Sequence, residues 1–541
     1  MELDTNRSDV APYQVTATWR TNFIPSISRL PTELLAEIFQ LSLSEVDLKS
    51  RSASFNSRSN VKRLYTMRAV TKRWHGVIEG TPSFWTTLVS ALPLHVNEAS
   101  ILRSSNLPLF VIFYHSEPLN PVYHHSDATN KFLKLIQHTR SRWLAIVLGF
   151  FDPTDMSQYL EAPLPLLQSI IVRSTRFFSF EPDSEPLELR GGDRTNLRFV
   201  YLSGVSILWS VGRYAQLKCL TLKNVAPDGL TGGELLDTIR ASPGLQVLKL
   251  KGIRTGVPPP SPITTLHHLR YIKLHSCATD LVECILRQIQ APSCTRLCLS
   301  IDDEQDFDVQ LFLNETLKPF HQVLCSTHQR FGESEVLLDS DGFEWYTPSY
   351  YEMEGFSIFI DSILDSFCIA WVDSILQDEP GLRICFGNEG TPSAAVLRSV
   401  APMRSVTKVF IRERPREADI SEALQFISKA LPTSTSLPSL PHLKELLLPC
   451  GGWNTRELLE MVQSRFCALS WENMERTPLT ITVQRGGFYW GGTPGPILDL
   501  ATIVETRKTS GVQCVRLAGW KDPVGILAVV WSEEGSEPVW V

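Results

Sequence analysis

A few clusters of side chains in this sequence could bind a metal or act as nucleophiles. His124 and His125 with Asp127 supply two imidazoles and a carboxylate, donors suited to a divalent transition metal. Adjacent residues project in different directions and no further ligand is spaced to join them, so the trio reads as a surface loop. Cys294 and Cys298 stand four residues apart, but a zinc site needs a second Cys or His pair and none follows at a suitable distance. Both thiols fall in a predicted strand and read as buried structural side chains. Asp302, Asp303, Glu304, Asp306 and Asp308 offer oxygens to calcium, yet the run lacks the glycine and terminal glutamate of a calcium loop, which leaves a solvated turn. Gly486-Gly487-Phe488-Tyr489-Trp490-Gly491-Gly492 lacks the Gly-x-Gly-x-x-Gly spacing of a dinucleotide site, and reads as an exposed aromatic loop or as packing in a terminal cap. Walker loops, Gly-x-Ser-x-Gly turns and His-Glu-x-x-His helices are absent from the sequence. A non-catalytic chain with no metal and no cofactor is the expectation.

If the elements are not built to carry an active site, composition bounds what they can be. At 541 residues and 43% hydrophobic content the chain exceeds one ordinary domain and has apolar surface enough for a large core or several. A net charge of −7 is mild and points to neither nucleic acid nor an anionic membrane. The 11 cysteines lack the dense, even spacing of a disulfide-stapled secreted domain, so reduced and mostly buried thiols are expected. Residues 1–10 carry Glu2, Asp4 and Asp9 and no apolar run, which argues against a signal peptide. The longest apolar stretch, 356–376, is interrupted by Asp361, Asp365 and Asp373 and reads as a buried strand and helix, not a membrane span. A cytoplasmic or nuclear location follows as an expectation.

Near the N-terminus the pattern becomes helical. Leu30-Pro31-Thr32-Glu33 has the logic of a helix start at about Pro31, with proline tolerated in the first turn and Glu33 and Glu37 towards the positive end of the dipole. Leu30, Leu34, Leu35, Ile38, Phe39 and Leu41 make a broad apolar stripe on it. A second helix is predicted over 61–79, where Leu64, Met67, Val70, Trp74 and Val77 recur at three- and four-residue steps, until Gly80-Thr81-Pro82 stops it. Lys49, Arg51, Arg58, Lys62, Arg63, Arg68, Lys72 and Arg73 lie between with no acidic residue; only Phe55 and Tyr65 are interleaved, so a solvated face is expected and not a nucleic-acid platform.

The order Leu30-Pro31-x-Glu33-Leu34-Leu35-x-x-Ile38-Phe39, then Val70-x-Lys72-Arg73-Trp74-His75-x-Val77-Ile78, then Thr81-Pro82-x-x-Trp85, resembles the F-box, especially its fungal F-box-like form. The resemblance covers residues 27–88 and departs from shorter F-boxes in a polar, serine-rich insertion near 44–60. It implies a three-helix module that binds the Skp adaptor of a Skp-cullin-F-box ubiquitin ligase. Positions matching the family's apolar contacts are Leu30, Pro31, Leu34, Leu35 and Ile38, with Val70, Trp74 and Trp85 behind them.

The middle of the chain repeats one shape. Leu197-x-x-Val200-x-Leu202, Leu217-x-x-Leu220-x-Leu222, Leu245-x-x-Leu248-x-Leu250, Leu269-x-x-Ile272-x-Leu274 and Cys294-x-x-Leu297-x-Leu299 share an apolar-x-x-apolar-x-apolar template. Runs starting at Trp143 and Leu167 precede them, and runs starting at Val406 and Leu443 follow. Helical patterns lie between at 234–240, 281–290 and 420–430, and further strands are predicted at 336–338, 356–360 and 382–386. This resembles the leucine-rich repeats that follow some F-boxes. The family's turn residue, Asn or Cys, is matched only by Cys277; Val205, Val225, Ile253 and Gly451 stand at that offset elsewhere, which predicts an uneven ladder. Residues 257–262, rich in proline, read as a stiff surface connector. Beyond 450, helices at 455–466 and 497–506 and strands at 479–483 and 515–517 are expected.

The predicted fold is α/β: a disordered tail over 1–26, the three-helix F-box over 27–90, an irregular leucine-rich-repeat solenoid of alternating short parallel strands and helices over 91–450, and C-terminal repeats or a cap over 451–541. The expected partners are the Skp adaptor, through it a cullin, and a target protein whose identity the sequence does not encode, with no nucleic acid and no membrane. The alternative is a leucine-rich-repeat scaffold acting outside a ubiquitin ligase.

Overall fold

Pro31, with φ −55° and ψ 154°, stands at the N-cap of the first helix, α1 (Thr32–Ser42), and Glu33 occupies its first turn, as the Leu-Pro start predicts. The computed structural model describes residues 26–44, 53–114, 127–149, 163–174, 196–205, 209, 214–225, 230–256, 262–301, 308–339, 342–347, 355–360, 365–376, 379–386, 399–400, 402–411, 440, 442–449, 480–484, 514–518, 528–530 and 539–540. The chain divides into two units, Met1–Phe113 with His125–Leu135 and Tyr114–His124 with Ile136–Val541. The expected disordered tail lies almost entirely outside the described residues, as do the helices expected at 420–430, 455–466 and 497–506, nearly all of the proline-rich connector and the glycine-aromatic run at 486–492.

In the first unit the single helix predicted over 61–79 is two helices, α2 (Ala53–Arg68) and α3 (Lys72–Glu79). The break has a local cause. Thr71 is extended at φ −149° and its hydroxyl accepts from the Trp74 amide at 3.1 Å, so it caps α3 and ends the continuous ladder. Within the polar insertion α2 begins, and the Asn60 amide clamps Ser44, accepting from its N–H at 2.8 Å and donating to its carbonyl at 2.7 Å. A 3₁₀ turn at Pro82–Trp85 follows, then β1 (Thr87–Val89), α4 (Leu94–Arg103) and β2 (Leu109–Tyr114), with β1 and β2 parallel and Leu88 opposite Val111. This short crossover is fastened by buried Asn97, which bonds both the N–H and the carbonyl of Val89 at 3.0 Å. Helix α5 (Asp127–Gln137) brings Phe132 into a stack with Phe113.

The second unit is mixed α/β around a large, mostly parallel sheet. Strands β3 (Trp143–Gly149), β4 (Ser169–Arg173), β5 (Phe199–Ser203), β6 (Cys219–Lys223), β7 (Val247–Lys251), β9 (Tyr271–His275) and β11 (Arg296–Ile301) pair in succession, all parallel. Two-residue strands β8 (Thr264–Thr265) and β10 (Ile289–Gln290) pair separately. Every run of the sequence template lands on one of these strands or on two downstream. Register aligns the template positions: Ile170, Val200, Leu220, Leu248, Ile272 and Leu297 form one row, and Val172, Leu202, Leu222, Leu250, Leu274 and Leu299 the next, each buried. Helix α6 (Gly232–Arg240), with a Thr231–Glu234 capping box, and helix α7 (Thr279–Gln288), with Leu281, Val282, Ile285 and Leu286 buried, contribute further apolar faces to the core.

The uneven ladder predicted from the missing Asn or Cys is not found here. At the strand exits the main chain turns through left-handed backbone at Gly204, Asn224, Gly252 and Ser276, with φ between 47° and 66°. The amide N–H of each donates to the carbonyl of the neighbouring strand: Gly204 to Lys223, Asn224 to Lys251, Gly252 to His275 and Ser276 to Ser300. Backbone thus does what a turn side chain would do, and Val205, Val225, Ile253 and Cys277 at the next position are all buried.

Irregularity arises further on. A helical stretch from Val309 through a π turn at Phe312–Thr316 leads to α8 (His321–Phe331), and the chain then makes β12 (Ser334–Asp339), β13 (Gly342–Tyr346) and β14 (Gly355–Ile360) as antiparallel neighbours. It is β14 that lies parallel beside β11, while β12 continues the sheet to β15 (Leu382–Phe386) after α9 (Asp365–Leu376). Strictly parallel strands were expected, so the reversed β13 is a correction. Beyond come β16 (Val406–Ile411), β17 (Glu445–Pro449), β18 (Thr480–Gln484) and β19 (Cys514–Ala518) in parallel, then β20 (Ala528–Val530) and β21 (Val539–Trp540) in antiparallel array.

Candidate functional site

The apolar stripe of α1 is not one surface. Successive residues on a helix are 100° apart, so neighbours in sequence can face opposite ways. Leu35 and Phe39 are 0% and 1% exposed and form a core with Leu64, Val77, Ile78, Phe84 and Trp85. Leu34, Ile38 and Leu41, spaced four and three apart along the other side of the helix, are 46%, 40% and 78% exposed. The helix therefore carries two apolar stripes, one sealed and one open.

The sealed stripe is held by directional contacts as well as packing. Trp85 is 1% exposed, donates its indole N–H to the Ile78 carbonyl at 2.9 Å and meets Tyr65 edge to face. Trp74, half-buried, lies 4.8 Å from Phe39 between ring centroids. Glu79 takes Arg68 at 2.8 Å and also Arg103, whose guanidinium covers the Trp85 ring. The Arg73 guanidinium donates to the Leu30 carbonyl and ties α3 to the start of α1. With its base fixed this way, the open stripe is presented on a preformed helix.

The residues matched to adaptor contact therefore divide. Leu34, Ile38, Pro31 and Val70 are exposed, Val70 by 55%; Leu30 is half-buried and packs on the core. Leu35 and Trp85 are buried in the core of their own unit, and Trp74 is half-buried beside Phe39. Leu41 was counted in the stripe but not among the contacts; its step of seven from Leu34 was the available signal. Lys62, Arg63, Lys72 and Arg73 are exposed, as a solvated basic face requires.

The chemical candidates fare differently. His124 and His125 and residues 302–306 lie outside the described residues, whereas Asp308 caps the helical stretch after it, its carboxylate accepting from the Leu311 amide at 3.0 Å. Cys294 and Cys298 are buried, and burial pushes the Cys294 thiol up to about 12. Such a thiol is neither a nucleophile nor a ready ligand at neutral pH. Among the described residues no group of three or more His, Cys, Asp or Glu could hold a metal, and no helix is long and apolar enough to cross a membrane. A cavity of about 320 Å³ opens on the sheet, lined in part by Lys273, His275, Ser300, Glu344 and Phe359. Within that lining the Ser357 hydroxyl donates to the Glu344 carboxylate at 3.1 Å, across the antiparallel pair β13 and β14. No protein-family model matches the chain, and no curated protein does.

Proposed function

We propose that this chain is the target-recognition subunit of a Skp-cullin-F-box ubiquitin ligase: the first unit acts as an F-box-like module that docks the Skp adaptor, and the second as an irregular leucine-rich-repeat-like solenoid that holds a target protein. The chain works without chemistry of its own, in the cytoplasm or nucleus, and transfer of ubiquitin belongs to other subunits. One observation carries the reading. Leu34, Ile38 and Leu41 stand open on a helix whose opposite stripe is fully used by its own core. An apolar row at i, i+4 and i+7 on a rigid helix is the form in which one helix meets another, and covering such side chains is worth about 1 kcal/mol or more each. Support for the repeat reading comes from the template runs, which coincide with strands whose buried positions align from β4 to β11.

The test is capture of the Skp adaptor by the full chain, compared with the same chain carrying Leu34→Asp and Ile38→Asp. Both positions are exposed, so circular dichroism should be unchanged while affinity falls about a hundredfold. Equal capture by both proteins would overturn the proposal. Cullin co-purification then separates a ligase subunit from a scaffold that uses the adaptor alone.

A further inference from the structure

The parallel strands have a second face. Strands β4, β5, β6, β7, β9 and β11 contain no aspartate or glutamate, and their cations, Arg173, Lys223, Lys249, Lys251, Lys273 and Arg296, all fall on positions alternate to the buried rows. Period-two alternation therefore puts every one of them on the face away from the apolar core. There Arg173 and Arg296 are buried, Lys223, Lys249 and Lys273 are half-buried and Lys251 is exposed, so the lysines are the accessible charges. Two tyrosines are set among them: Tyr201 lies between Arg173 and Lys223, with the charges 4.9 and 5.2 Å from its ring, and Tyr271 between Lys249 and Arg296 at 4.5 and 4.4 Å. Lys223, Lys251 and Lys273 make no ion pair among the described residues. The Lys273 ammonium is pushed below the usual lysine range by burial, against an opposing pull from Cys298, and further down by Arg296, Lys223 and Lys251. Cations crowd it from three strands.

We infer that this basic, tyrosine-inlaid face of β4 to β11 is the docking surface for a short acidic polypeptide segment. The statement names the class of target for the proposed receptor and rests on that reading. Charge complementarity sets the sign of the occupant, and dimensions set its size: six strands spaced about 4.8 Å apart span roughly 24 Å, the length of about seven extended residues. The same numbers disfavour nucleic acid. A long polyanion meets the whole chain, whose net charge is −7, whereas a short peptide meets only the field within a Debye length of about 8 Å. The positive face also has an end, since Glu344 lines the far side of the cavity that begins at Lys273 and His275.

The experiment uses the full chain and a fluorescein-labelled peptide of about eight residues with glutamate at alternate positions, read by fluorescence anisotropy. A peptide with glutamine in place of glutamate and a single-stranded oligonucleotide of matched charge are the comparisons. The glutamate peptide should bind, weaken as salt rises, and lose about tenfold in affinity when Lys223→Gln, Lys251→Gln and Lys273→Gln are combined, with a larger loss for the three glutamate replacements. The glutamine variant removes the charge but keeps a polar side chain only one atom shorter than lysine and, with an unchanged circular dichroism spectrum, separates lost charge from lost fold. No binding of the glutamate peptide, equal binding by the glutamine variant, or tighter binding of the oligonucleotide would each overturn the inference. Adaptor capture is measured on the same proteins. Its failure in the unsubstituted chain with peptide binding intact would sink the receptor reading and leave the surface; peptide failure with capture intact would sink the surface alone.

Discussion

Leu34 and Leu35 are adjacent and chemically identical, yet one faces solvent and the other is 0% exposed, so their substitution should separate two properties. Leu35→Ala should cost about 2–5 kcal/mol of stability, the range for emptying a sealed aliphatic site, whereas Leu34→Ala should stay within about 0.5 kcal/mol and act on adaptor capture instead. Chemical denaturation followed by tryptophan fluorescence checks the first, and capture the second. Gly252 offers a different contrast. Its φ is +61° and a Cβ there would sit 2.2 Å from Asn224 Oδ1, whereas at Gly204, with φ +66°, the nearest atom would be 3.6 Å away. Gly204→Ala should therefore cost only the left-handed backbone penalty of about 1–2 kcal/mol, and Gly252→Ala more, with the excess relieved when Asn224→Ala is added. Equal costs at the two glycines would mean that Asn224 moves aside freely.

At the scale of elements, α8 and β12 to β13 meet through one chain of hydrogen bonds. The Trp345 indole donates to Ser334 Oγ at 3.0 Å, Ser334 Oγ lies 2.8 Å from His328 Nδ1, and His328 Nε2 lies 3.2 Å from the Pro380 carbonyl. A carbonyl only accepts, so Nε2 carries the proton and Nδ1 accepts from the serine in the neutral ring. Burial holds His328 below the usual histidine range, against the opposing pull of the Pro380 carbonyl and Glu379; burial lowers His321 in the same way. The unfolded chain then binds more protons than the folded one wherever the two states differ. Stability should be level above the unfolded histidine value of about 6.5 and should fall as pH drops from there towards the lowered folded values. His328→Asn should flatten part of that slope in denaturant titrations across this window; an unchanged slope would assign it to other groups.

The same elements explain what the sequence made legible. The template runs were readable because a residue buried between two neighbouring strands has little choice but to be apolar, and Leu220, Leu248 and Ile272 repeat that constraint at nearly even spacing. The halves of α1 were not separable, because Leu34 and Leu35 look alike until the packing of Leu64 and Ile78 is known. The break at Thr71 was masked by apolar positions that continue a helical period across it, and β13 by a short Phe-Glu-Trp-Tyr run with no template match. The basic face was visible in principle, since Val247-Leu248-Lys249-Leu250-Lys251 alternates at period two. The regular ladder was unreadable for a different reason: it depends on left-handed main chain at Asn224 and Ser276, which side-chain type signals only weakly.

For the whole molecule, what matters is that each strand from β4 to β11 touches only its neighbours in the sheet, so stability should be transmitted from strand to strand and not shared at once. Leu250, at 0% exposure, sits between Leu222 and Leu274 in one buried row. Leu250→Ala should remove about 2–5 kcal/mol locally. In hydrogen exchange read by mass spectrometry, the loss of protection should be greatest in β6, β7 and β9 and should fade towards β3 and β15. The first unit keeps its own core of Leu35, Phe39, Leu64, Val77, Ile78, Phe84 and Trp85, so exchange in α1 and α3 and capture of the adaptor should not change. If a substitution in β7 instead unprotects α1 to the same degree, the two units unfold as one. A receptor whose adaptor-binding and target-binding surfaces vary independently would then be the wrong description of this chain.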